Sequence, residues 1–187
     1  MAASAYATMK PAYAKANPNV TPEQVKLVRA SFELVSSGNT VGFKSQSEQT
    51  EPAIHLALVF YNRLFEIAPD TKPLFKKPLT TQGGMLIKTL ALSVATLEDL
   101  PSLVPRLQSL AARHIRYGST IAQYGAVGEA LVWALQTVAG DAFTPAMADA
   151  WVEVYSLILS VMIPAQVEAE AKHRATQAAG APLEVSG

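Results

Sequence analysis

The stretch Leu110-Ala-Ala-Arg-His114-Ile-Arg-Tyr117-Gly118 contains the histidine on which the interpretation of this chain depends. Tyr124 follows His114 by ten residues, and Glu168 lies near the end of a long amphipathic segment. A neutral imidazole binds iron through one ring nitrogen, and the other nitrogen needs an acceptor that fixes its tautomer and basicity. Tyr124 and Glu168 could supply or relay that acceptor. On this stretch alone, His114 could equally be a core histidine whose hydrogen bonds are satisfied.

The composition limits the classes of function. The 187 residues suit one domain with a sizeable core; 50% of them are hydrophobic and 16% are charged, which leaves room to bury a flat apolar cofactor. Fifteen basic residues balance fifteen acidic ones, so no overall field favours nucleic acid or an anionic membrane. The absence of cysteine excludes disulfides, thiolate ligation, iron–sulfur clusters and haem attachment through cysteine.

Helix signals dominate the chain. Thr21-Pro22-Glu23-Gln24 combines a capping threonine, a proline in the first turn and a glutamine at the capping-box position. A second helix is predicted from about Pro52 to Ala68, where Pro69 closes it. Further helices are predicted up to about residue 96, over 122–139 and from Pro145 onward, and a segment over 98–117 is expected to be interrupted by Pro101 and Pro105.

We expect three parts in the chain: an N-terminal arm over residues 1–20, a domain over 21–170, and a frayed tail over 171–187. Residues 36–50 are polar without an apolar period and predict a loop. The first fifteen residues lack the basic start and apolar core of a secretory signal. The most apolar run, Val154 to Ala165, ends at Pro164 and is too short to cross a membrane, so a cytoplasmic location is expected.

Two adjacent glycines, Gly83 and Gly84, stand in the first part of a predicted helix. Each costs about 1 kcal/mol relative to alanine inside a helix. They can mark a close approach of the backbone to a cofactor or a neighbouring helix, or only a frayed helix start. We favour the close approach.

A set of short motifs runs from the second predicted helix to the last. In chain order they are Phe60-Tyr61-Asn62-Arg63-Leu64-Phe65 with Ala68-Pro69, Lys72-Pro73-Leu74-Phe75, Gln82 with Leu86, Arg113-His114, residues 123–129, and Ala150-Trp151 with Tyr155. In order and spacing this set resembles bacterial globins, most of all the globin part of flavohaemoglobins and their single-domain relatives. The resemblance implies an all-α globin fold of about seven to eight helices around a haem pocket, with an extended loop between the first two helices.

The resemblance also implies non-covalent haem b, with His114 as the proximal iron ligand and a free sixth position. On the distal side it implies that Tyr61 and Gln82 hold the bound ligand, while Phe75 and Leu86 shape the pocket. Plainer interpretations remain: Tyr61 as a core aromatic, Gln82 as an ordinary polar residue of a first helical turn, and Phe75 and Leu86 as core residues.

On the proximal side the resemblance implies that Tyr124 and Glu168 hydrogen-bond His114 and push electron density onto iron. Arg113, with Arg116, is a candidate partner of the haem propionates, although arginines are common on any surface. Glu168 could instead be a solvated carboxylate.

The other histidines are weaker candidates for ligation. His55 lies early in the second helix, two turns before Tyr61, and His173 stands among charged residues of the tail. With three histidines and no cysteine, a conventional zinc cage is nearly excluded.

The function implied is reversible dioxygen binding combined with dioxygenation of nitric oxide to nitrate, and carbon monoxide would bind as well. The sequence lacks a dinucleotide fingerprint, so turnover would need a separate reductase. The alternatives are a dioxygen carrier or store and, with less support, a gas sensor. No nucleic-acid or membrane partner is expected, and the choice between monomer and homodimer stays open.

Overall fold

The computed structural model describes residues 2–38, 40 and 51–179. Within these ranges the regular structure is helical and contains no strand, which confirms the all-α prediction. The helices are α1 (Ala2–Met9), α2 (Pro22–Ser36), α3 (Pro52–Ile67), α4 (Leu79–Ala95), α5 (Leu100–Tyr117), α6 (Gln123–Ala139) and α7 (Pro145–Ala179), with short 3₁₀ turns at Pro69–Leu74 and Gly140–Ala142. Most of the loop predicted over 36–50 lies outside the described residues.

Local sequence sets the ends of the helices that frame the site. At the start of α2 the Thr21 hydroxyl accepts from the Gln24 amide (3.3 Å) and the Gln24 side chain accepts from the Thr21 amide (2.9 Å), which completes the predicted capping box. At the end of α5, Gly118 adopts φ 81°, and the Ser119 amide donates to the His114 carbonyl at 3.0 Å. This left-handed closure fixes where the helix of His114 stops.

The last helix is longer than the sequence predicted. It continues through Pro164 and past residue 170 to Ala179, because burial of the residues around Pro164 outweighs the missing backbone donor. By length and composition the span Pro145–Gln177 could cross a membrane, but 50% of its most apolar window is buried inside the fold. A buried core helix passes the same test.

Helix packing leaves α4 and α5 apart, although they follow each other in the chain. α3 packs against α4 and α6, while α5 packs against α7, and α7 also contacts α1 and α2. The indole of Trp151 in α7 donates to the Ser31 hydroxyl in α2 at 2.9 Å, so these two helices are joined inside the core. α4 and α5 scarcely touch each other. A crevice therefore opens between two helices that are each anchored on their far side.

The two adjacent glycines in α4 have different surroundings. A Cβ on Gly83 would lie 2.8 Å from the Cβ of Ala57 in α3, closer than real Cβ atoms pack. A Cβ on Gly84 would meet nothing within 4 Å. The predicted close approach to a neighbouring helix is confirmed for Gly83, and it does not account for Gly84.

The N-terminal segment is docked along its length. α1 packs on α7, and the Tyr6 side chain is buried. Beyond α1, the Tyr13 hydroxyl donates to the Gly125 carbonyl at 2.9 Å and the Lys15 amide donates to the Ser156 hydroxyl at 2.9 Å. A Cβ on Gly128 would overlap the Tyr13 hydroxyl, so this glycine provides the seat for the tyrosine.

The two glycines provide a matched test of the helix contact. We expect Gly83→Ala to lower the free energy of unfolding by about 1–3 kcal/mol, because the methyl group would collide with the rigid Cβ of Ala57. Gly84→Ala should raise it by up to about 1 kcal/mol through helix propensity alone. Urea unfolding of both variants checks this. Equal effects of the two substitutions would contradict the close packing of α3 and α4.

Candidate haem site

His114 is prepared to act as a metal ligand. Its Nδ1 lies 2.9 Å from the Leu110 carbonyl oxygen, one turn earlier in α5. Because a carbonyl can only accept, Nδ1 carries the proton and Nε2 is left with a free lone pair. Burial lowers the pKa of His114, and the bond to Leu110 opposes that effect only in part. The imidazole is therefore neutral at physiological pH, which is the form that binds iron.

The crevice between α4 and α5 holds a cavity of about 200 Å³. Leucines from both helices supply its apolar walls, and three cationic side chains stand around it. Leu110, whose carbonyl holds the His114 ring, is one of the lining residues, as is Arg113. The cavity reaches the helix segment that precedes His114, whereas His114, Tyr61 and Gln82 are not among the residues that line it.

On the opposite side, the structure brings Tyr61 and Gln82 together. The buried Tyr61 hydroxyl is 3.4 Å from the Gln82 backbone carbonyl oxygen, a long hydrogen bond. Burial raises the pKa of Tyr61 to about 12, so the phenol stays protonated and remains a donor. The contact uses the Gln82 backbone, while the Gln82 side chain is half-buried at the start of α4.

Aromatic rings fix the orientation of Tyr61. The Phe75 ring meets it edge-on at 5.0 Å between centroids, and the Phe65 ring stacks on it at 5.8 Å. Phe75 and Leu86 are half-buried and pack against the core. Phe65 was not predicted as a site residue, although its position four residues after Tyr61 on one helix face was a usable signal.

The proximal side differs from the prediction. The Tyr124 ring lies 5.9 Å from the His114 ring between centroids, but the Tyr124 hydroxyl donates to Gln166 Oε1 at 2.6 Å. Gln166 Nε2 donates in turn to the Ser119 carbonyl (3.1 Å) and to Glu170 Oε1 (2.9 Å). A neutral amide therefore stands where a carboxylate was expected.

The predicted role of Glu168 as a hydrogen-bond partner of His114 is corrected accordingly. The Glu168 side chain is 67% exposed and pairs with Lys172 at 2.6 Å. Positions 166 and 170 share one face of a helix, whereas position 168 lies about 200° around the axis from 166. The inward stripe through Leu159 and Met162 leads by helical spacing to Gln166, and that spacing was the missed signal.

The remaining candidates lie apart from this arrangement or at its edge. His173 is exposed and lies 2.9 Å from the Gln177 side chain, and His55 is in α3. Arg113 and Arg116 are both exposed on α5, and only Arg113 lines the cavity. In the described ranges no three His, Cys, Asp or Glu side chains cluster as a metal cage would need. A single imidazole with an apolar crevice fits haem, which supplies the other four nitrogens itself.

Sequence comparison agrees with this geometry. Residues 58–162 match the globin family, which covers more than half of the chain. The chain belongs to the globin family. It is 30% identical over 121 residues to the neuroglobin of Chaenocephalus aceratus, across 56% of this chain and 75% of that protein. It is 32% identical over 124 residues to the flavohemoprotein of Halalkalibacterium halodurans, across 65% of this chain but 30% of that protein.

A solved structure shares the fold. RmaNOD of Rhodothermus marinus, engineered as a carbene transferase, superimposes with a TM-score of 0.68 at 20% identity, across 83% of this globin and 99% of that chain. At that identity the likeness concerns the fold alone. Membership of the globin family makes the chain a haem protein for gas ligands such as dioxygen.

We expect His114→Ala to weaken or alter the Soret band and its shift with carbon monoxide, because the substitution removes the imidazole whose Nδ1 is held by Leu110 and whose Nε2 is left to bind iron. His173→Ala, on an exposed helix end, should leave both unchanged. Absorption spectra of the reduced proteins with and without carbon monoxide check this. An unaltered spectrum in His114→Ala would contradict the assignment of the ligand.

The corrected proximal contact has its own test. Gln166→Leu should lower the free energy of unfolding by about 1–3 kcal/mol, because the buried Tyr124 hydroxyl and the Ser119 carbonyl would both lose a partner. Glu168→Gln removes only an exposed ion pair and should change stability by less than about 0.5 kcal/mol. Thermal unfolding distinguishes the two. A larger effect from Glu168→Gln would restore the original prediction.

Proposed function

We propose that this globin binds haem b non-covalently, holds dioxygen on it, and converts nitric oxide to nitrate with electrons from a separate reductase. Haem, when bound, would supply the iron at which dioxygen is held for reaction with nitric oxide. The residues of the chain must then bind the group, stabilise the ligand and exclude water.

The observation that carries the proposal is the Tyr61 hydroxyl beside Gln82. The phenol is buried among aromatic rings and its raised pKa, to about 12, keeps it protonated. It can therefore donate a hydrogen bond to the partly negative ligand, and such a bond is stronger in a dry pocket than in water. The Gln82 amide can add a second donor, and its charge does not change with pH.

The separate reductase is part of the proposal. The alignments span 28% and 30% of two flavohemoproteins, so the remaining length of those proteins has no counterpart in the match. The sequence carries no dinucleotide-binding fingerprint. The haem would give up one electron for each nitrate formed, and the proposed reductase would return it.

A specific observation favours a second function, dioxygen storage or transport. Tyr124 donates to the neutral Gln166 amide, so no carboxylate gives His114 imidazolate character through this contact. A weaker electron push favours reversible binding over oxygen activation. We keep this as the alternative because the distal donors suit both functions.

We expect Tyr61→Phe to speed dioxygen dissociation by about tenfold to a hundredfold, through loss of one buried hydrogen bond to the ligand. Tyr117→Phe removes the same hydroxyl from a ring that is 56% exposed and should change the rate by less than about twofold. Stopped-flow displacement of dioxygen by carbon monoxide measures both rates. An unchanged rate in Tyr61→Phe would remove Tyr61 from the ligand pocket.

The function itself is tested by mixing the dioxygen-loaded protein with nitric oxide under a chemical reductant. Stoichiometric nitrate and repeated turnover, both reduced in Tyr61→Phe, are expected for a dioxygenase. Reversible dioxygen binding with slow autoxidation and only a single slow round of nitrate formation would favour storage or transport instead.

A further inference from the structure

The charges of this globin are distributed unevenly. Its formal net charge is zero. The two helices that flank the crevice nevertheless contain cationic residues and no aspartate or glutamate: Lys88 in α4, and Arg106, Arg113 and Arg116 in α5. The acidic residues of the chain therefore lie elsewhere, and the crevice side is positive.

Three of these cations meet at one place. Lys88, Arg106 and Arg113 all line the 200 Å³ cavity, and all three are exposed. Leu92 also lines it and is 42% exposed. We call this positive and apolar opening, defined by these four residues, the basic cleft.

Nearby carboxylates neutralise little of the positive charge of the basic cleft. Glu98, between the two helices, is paired with Arg29 of α2 at 2.8 Å. Asp99 accepts from the Ser102 amide at the start of α5, and this bond lowers the pKa of the Asp99 carboxyl, with a smaller contribution from Arg106. Among the described ion pairs, none involves Lys88, Arg106 or Arg113.

Haem would not neutralise the cleft completely. It brings two carboxylates, and Arg113 is the cation next to His114 in sequence, so it is the candidate partner for one of them. Lys88 and Arg106 stand farther along the two helices. An apolar residue bordered by unpaired cations is typical of a surface that receives an anionic partner.

We propose that the basic cleft is the docking surface for an acidic, one-electron flavoprotein that reduces the haem. This inference rests on the proposed need for a separate reductase, and it specifies the charge of that reductase and the surface to which the reductase binds. The cleft lies beside Leu110, whose carbonyl holds the His114 ring, so a protein docked there stands close to the proximal side. One electron passes from the reduced flavin to ferric haem, and the flavin is oxidised by one electron. No atom is transferred in this step.

The test uses the 187-residue protein loaded with ferric haem and, as a probe, reduced flavodoxin, which is a small acidic one-electron flavoprotein. Carbon monoxide traps the ferrous product, and stopped-flow absorption gives the second-order rate constant. The variant Lys88→Glu/Arg106→Glu should react at least about tenfold more slowly at low ionic strength, and the difference should largely vanish in about 1 M salt. Arg174→Glu, an exposed charge reversal near the end of α7, should react within about twofold of the unmodified protein.

A small uncharged reductant, photoreduced deazariboflavin, controls for damage to the haem pocket, and all variants should be reduced by it at equal rates. Equal rates with flavodoxin in the double variant and in the unmodified protein would overturn the proposal. The proposal would also be overturned if a low concentration of duplex DNA suppressed haem reduction by flavodoxin in the unmodified protein but not in the double variant. The cleft would then be a nucleic-acid site. The protein could fail to turn over nitric oxide under a chemical reductant while haem reduction by flavodoxin still depends on the cleft. That result would reject the dioxygenase function and support the docking surface.

Discussion

The separation of α4 from α5 is the constraint on which the other features of this globin depend. Two amphipathic helices facing each other would normally collapse together, since burying their apolar faces is favourable. Here each is held by another helix: α4 by the contact of Gly83 with Ala57, and α5 by its long interface with α7. The contacts on the far sides of α4 and α5 therefore position both walls of the crevice, which favours the binding of a flat apolar group between them.

The two sides of that crevice are built from different chemistry. The distal side presents donors, a buried phenol and an amide. The proximal side presents a hydrogen-bond chain from Tyr124 through Gln166 to Glu170, and the choice of an amide there has a physical reason. Gln166 must accept from Tyr124 and donate to the Ser119 carbonyl at the same time, which a carboxylate cannot do. A carboxylate at 166 would also face Glu170. The bond from Gln166 to Ser119 joins α7 to the turn that follows His114. Gln166 therefore fixes the end of α5 and, because it is neutral, adds no charge on the proximal side.

The sequence predicted the helices well because those signals are local. Caps, prolines and the 3.6-residue period defined α2 to α6 to within a few residues, although α5 continues through Pro101 and Pro105, where an interruption was expected. The structure brings Tyr61 and Gln82 together, and His114 as the iron ligand stays a prediction. Glu168 was chosen for its charge, although helical register decides which residue of α7 faces inward. The frayed tail predicted from residue 171 followed local composition, whereas α7 continues as a helix to Ala179. The docked N-terminal segment could not be predicted, because its partners are far away in the chain and leave no periodic pattern.

That distance has a consequence for how the protein is made. The contacts of Tyr13 with Gly125, of Asn19 with Glu153 and of Lys15 with Ser156 span 112, 134 and 141 residues. Translation adds about 5–20 residues per second, so residues 13–19 leave the ribosome on the order of ten seconds before their partners exist. Closing such long loops also has an entropic cost that only the assembled helices can offset. Among the described segments, residues 13–19 are thus synthesised early but dock late, after the helices that carry their partners have assembled.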